Sequence, residues 1–112
     1  MNTEKKQDWQ FVEDKMYARF GHKPSLAAIL FLIGLQELRL TPTSMNKSQK
    51  QDVIHAAICY LLAKHDYFRL LKYDEEGWPH YVPDKSLENV NDKEKNQLLK
   101  TCILDYFKTR NL

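Results

Sequence analysis

The sequence predicts a mainly α single domain: a bundle of about four helices at 4–20, 26–40, 48–64 and 92–108, with one β-hairpin at 67–82 between the third and the fourth. Apolar residues recur at spacings of three and four through four segments and lose that period in a fifth. Three glycines and four prolines in 112 residues leave long stretches free of helix breakers. A chain of this length encloses one core and is too short for two, so residues 1–112 are read as one domain.

In the first segment Trp9, Val12, Met16 and Phe20 share a helical stripe with Tyr17 adjoining, and Gly21 stands where a helix closes on a left-handed residue. Pro24 disfavours helix at Lys23, and Ser25 offers a hydroxyl to cap the second helix. That helix is apolar on nearly every side from Leu26 to Leu35, as suits a central helix surrounded by the others or one shared with a second copy. Thr41-Pro42-Thr43 ends it. Ser44-Met45-Asn46-Lys47-Ser48 offers several caps for the third helix, and Ser48-Gln49-Lys50-Gln51 has the capping-box spacing. Val53, Ile54, Ala57, Ile58, Leu61 and Leu62 then occupy one broad arc. Asp52, Ala56, Cys59 and Ala63 lie opposite, a back of mostly small side chains that lets a neighbouring helix come close.

From Tyr67 the pattern changes. Tyr67 to Tyr73 is rich in aromatics, Asp74-Glu75-Glu76-Gly77 reads as a type I turn with a left-handed glycine, and Trp78-Pro79-His80-Tyr81-Val82-Pro83 is aromatic again. Pairing Tyr73 with Trp78 sets Leu71 opposite His80 and Arg69 opposite Val82, and Pro79 requires an edge strand. The competing reading continues the third helix through Lys72, because positions 61, 65, 68 and 72 also fit a helical stripe. A polar connector follows at 84–90. Asn91-Asp92-Lys93-Glu94 then caps a helix whose stripe is Leu98, Leu99, Cys102, Ile103, Tyr106 and Phe107.

The N-terminus is charged and lacks the cationic head and apolar core of a secretory signal, so a cytoplasmic protein is expected. The ten-residue apolar run at 26–35 falls short of the ~20 residues that span a membrane. Cys59 and Cys102 have no Cys-x-x-Cys spacing and read as packed, reduced thiols.

The formal charge of +2 hides a division: residues 1–40 carry +1, 41–73 carry +3, 74–94 carry −5 and 95–112 carry +3. Three helices and a hairpin is also the order of a winged-helix nucleic-acid-binding domain, with the third helix as reader and the hairpin as wing. An acidic wing tip meets phosphate unfavourably, so that alternative is disfavoured. His55 and Cys59, four apart on one helix with Asp52 just before, have paired-ligand spacing, yet Cys102, His22, His65 and His80 stand singly; no metal, cofactor or catalytic residue is assigned. The expected function is non-enzymatic: a protein-interaction or regulatory module that binds a protein partner or self-associates. Its candidate surface is Tyr73, Asp74, Glu75, Glu76, Trp78, His80 and Tyr81, an acidic turn among aromatic anchors.

The segment Asp74-Glu75-Glu76-Gly77-Trp78-Pro79-His80, with the upstream Ile29-Leu30-Phe31-Leu32-Ile33-Gly34, resembles one found in small uncharacterised bacterial proteins. The resemblance covers most of the chain and implies one free-standing unit; it brings no activity and no site.

Overall fold

The computed structural model describes residues 2–41, 44–84 and 90–110. Its elements run α1 (Asn2–Phe20), α2 (Leu26–Leu38), α3 (Lys47–Ala63), β1 (Phe68–Tyr73), β2 (Pro79–Pro83) and α4 (Asp92–Arg110). The expected four helices with a hairpin between the third and fourth are present. Pro42-Thr43 and positions 85–89 of the expected connector lie outside the described residues.

The helix ends follow local chemistry. Ser25 Oγ accepts the Ala28 N–H at 3.1 Å and starts α2. The helix closes two residues before the expected position 40, on a Schellman turn: Arg39 is left-handed (φ 56°), its N–H bonds to Gln36 O, and the Leu40 N–H reaches Leu35 O at 2.8 Å. At α3 the capping box is Asn46 with Gln49, not Ser48 with Gln51: Asn46 Oδ1 accepts the Gln49 N–H at 2.8 Å, and Gln49 Oε1 accepts the Asn46 N–H at 2.9 Å. Asparagine caps as well as serine, and the earlier start gains helical hydrogen bonds. A second Schellman turn, with Asp66 left-handed (φ 66°) and the Tyr67 N–H on Leu62 O, stops α3 and excludes its extension through Lys72. At α4, Asn91 Oδ1 accepts the Glu94 N–H at 2.8 Å, and the helix runs two residues past 108.

The hairpin turn forms as expected. Gly77 is left-handed (φ 83°), its N–H bonds to Asp74 O, and the Asp74 N–H bonds to Trp78 O. The register corrects the expectation. This turn closes on Asp74 and Trp78 rather than on Tyr73 and Trp78, so Tyr73 faces Pro79 and Lys72 faces His80. A β-bulge between Leu70 and Lys72 then restores the expected Arg69–Val82 pair and leaves Leu71, not His80's partner after all, without a partner.

Val12 and Met16 of α1, Ile29 and Ile33 of α2, Ala57 and Leu61 of α3, and Ile103, Tyr106 and Phe107 of α4 meet in one buried cluster. The edge-to-face ring pair Tyr106–Phe107 lies within it, and half-buried Tyr60 packs edge-to-face on Tyr106 at its border. Of the small back of α3, Ala56 and Cys59 are buried, Ala63 is half-buried and Asp52 is exposed. The closest helix approach is on the apolar arc instead: a Cβ on Gly34 of α2 would lie 2.6 Å from both Val53 Cγ1 and Val53 O. The expectation of an α2 surrounded on all sides is corrected, because Ala27 and Ala28 are exposed and Phe31 and Leu32 are half-buried. Among the described residues no helix is long and apolar enough to cross a membrane.

Candidate functional site

The turn is built by one carboxylate. Asp74 Oδ1 accepts the backbone N–H groups of Glu76 and Trp78, each at 2.9 Å, and Oδ2 lies 2.9 Å from His80 Nε2. The His80 hydrogen bond first, and the Trp78 and Glu76 amides with it, hold the Asp74 carboxyl below the usual aspartate value. Asp74 and His80 therefore fix the shape of the hairpin end. Glu75 and Glu76 are left exposed as its charged tip.

The seven candidate residues divide into different roles. Pro79 and Tyr81 line a small cavity of about 60 Å³ with Gly34, Glu37 and Tyr60, and Tyr73 borders it while keeping most of its ring in solvent. Tyr81 is half-buried there, and loss of solvent pushes its phenol up to about 12. Trp78 is half-buried at the turn. Glu37, which sequence reasoning passed over, anchors the other side of the cavity: the Tyr106 hydroxyl donates to its Oε2 at 2.7 Å, and Arg110 Nη2 reaches Oε1 at 3.4 Å and the Tyr60 hydroxyl at 3.1 Å. A lone acid within the apolar 26–38 helix was the available signal, since a carboxylate there needs partners.

Sequence reasoning also passed over the leucines of β1. On β1, Leu70, Leu71 and Tyr73 are 40%, 57% and 63% exposed, so three large apolar side chains of the strand that leads into the acidic tip are open to solvent. The bulge causes this in part, since it leaves Leu71 outside the ladder.

His55 and Cys59 do meet, with Nε2 and Sγ 3.6 Å apart. Burial raises the Cys59 thiol and pushes Cys102 up to about 11, which disfavours the thiolate that metal binding and nucleophilic attack require. No group of three or more His, Cys, Asp or Glu side chains arranged for a metal occurs among the described residues. Both thiols are expected to resist a bulky aromatic disulfide reagent in native buffer and to react in denaturant; one prompt equivalent in the native protein would contradict their burial.

No family model, no curated protein and no solved structure matches this chain.

Proposed function

We propose that the chain is a small non-enzymatic interaction module of the cytoplasm, which engages a protein partner through the hairpin. The observation that carries the reading is the exposure of Leu70, Leu71 and Tyr73 on a strand whose end is held by the Asp74 hydrogen bonds. Apolar side chains on a fixed frame lose little conformational entropy on contact, and the Glu75-Glu76 tip adds charge selection. A photo-crosslinking amino acid at Leu71 tests this in cells of the source organism. A discrete adduct is expected from position 71 and none from Thr101, on the exposed face of α4. Equal labelling from both positions, or none from 71, overturns it. A duplex that binds at low salt, and is released by charge reversal at Lys47 and Lys50, would move the function to nucleic acid.

A further inference from the structure

We infer that the hairpin of one copy of this chain docks into the groove between α1 and α2 of a second copy. The inference rests on the hairpin being a contact surface and names what it contacts. The groove measures about 540 Å³, within the range of pockets that enclose a ligand. Phe20, Phe31, Leu32 and Leu35 give it an apolar wall, Arg19, His22 and Gln36 supply the polar part of its lining, and no acidic side chain lines it. Phe20 is 46% exposed there. Exposed Ala27 and Ala28 and half-buried Phe31 and Leu32 mark this flank of an otherwise apolar helix as uncovered.

The hairpin is its complement in both chemistry and charge. Leu70, Leu71 and Tyr73 supply apolar anchors, and Glu75 and Glu76 stand beside them. Their carboxylates would meet Arg19 at the groove and the first turn of α2, which contains no acid and presents the positive end of its helix dipole. The contact is between chains because the hairpin packs in its own chain near Gly34, Glu37 and Leu38, whereas the groove uses Ala28, Phe31, Leu32 and Leu35 on another face of the same helix. The two surfaces differ, so reciprocal exchange closes a dimer and one-way docking builds a longer chain of copies.

Sedimentation equilibrium tests this with three variants at exposed positions, each first shown to keep its helical circular dichroism. The parent is expected above the monomer mass of 13.3 kDa, and Arg19→Glu, Glu75→Lys/Glu76→Lys and Ala28→Trp each weaken association about tenfold or more by like charge or by filling the groove. Mixing Arg19→Glu with Glu75→Lys/Glu76→Lys restores it, because an acidic groove then meets a basic tip and a basic groove meets an acidic one. A monomeric parent that still gives the Leu71 crosslink to another protein overturns self-docking and leaves the hairpin as an interaction surface. A dimer unaffected by the charge reversals, or a mixture that stays monomeric, overturns the hairpin-to-groove contact.

Discussion

Gly34→Ala is expected to destabilise the fold by about 2–3 kcal/mol, although helix propensity alone favours alanine by about 1 kcal/mol. The sign is decided at the α2–α3 contact. The added methyl would sit 2.6 Å from Val53 Cγ1 and equally close to the Val53 carbonyl oxygen. A side-chain methyl can turn away, whereas a helical carbonyl cannot, so the two helices must part along a seam that includes Ile33, Val53 and Ala57. The midpoint of thermal unfolding should fall by roughly 10 °C or more for a domain of this size. Val53→Ala on top of Gly34→Ala removes the clash with Cγ1 and keeps the one with the carbonyl, so rescue should be incomplete. Gly77→Ala is the comparison: nothing lies within 4 Å of its added methyl, and the cost is confined to about 1–2 kcal/mol of left-handed strain. An alanine at 34 that proves neutral in denaturant titration would show that the helices do not approach as described.

The same contact marks how far the sequence could be read. Periodicity placed all four helices, because apolar residues at every third or fourth position mark the buried face of a helix. The turn at Asp74 to Gly77 was legible because a glycine after three polar residues supplies the required positive φ. Its register was not, since the turn closes on Asp74 and Trp78 rather than on Tyr73 and Trp78, and no residue near Leu71 signals the bulge that follows. The helix ends at Leu38 and Ala63 fall within two residues of the expected 40 and 64, but the left-handed residues that close them, Arg39 and Asp66, were not legible, because the sequence offers neither glycine nor asparagine there. The smallness of the α3 back was visible in Ala56 and Cys59. That the closest approach is made by Gly34, and to Val53 on the apolar arc rather than to that back, was not, because a lone glycine in an apolar helix does not say which helix crosses there. Within the candidate site, the residue types were legible and their roles were not. Asp74 and His80 shape the turn, Tyr73 and Tyr81 line the inner cavity, and the exposed leucines of β1 lay outside the candidate set.

Tyr106→Phe and Glu37→Ala are expected to cost about 1–2 and 2–3 kcal/mol respectively, and their double variant clearly less than the sum, with a coupling of about 1–2 kcal/mol. Tyr106 is 1% exposed, and its hydroxyl donates to Glu37 Oε2 at 2.7 Å. Removing the carboxylate strands a buried phenol and releases Arg110 from its ion pair, whereas removing the hydroxyl leaves Glu37 with Arg110 and some solvent. The asymmetry between the single variants is thus a consequence of which partner stays buried. Glu37 also faces the cavity beneath Tyr73 and Tyr81, so Glu37→Ala should increase hydrogen exchange at β2 more than Tyr106→Phe does. The pH dependence supplies a separate check. Burial first, then the hydrogen bond to Glu37, raises the folded-state Tyr106 phenol well above its ordinary value of 10.0. Above pH 10 the unfolded chain therefore loses this proton more readily than the folded one, and the stabilisation it gives, full below that pH, declines as pH rises. Phenylalanine at 106 should flatten that decline. An unchanged alkaline slope, or fully additive single variants, would show that the Tyr106–Glu37 hydrogen bond contributes nothing to holding α4 against α2.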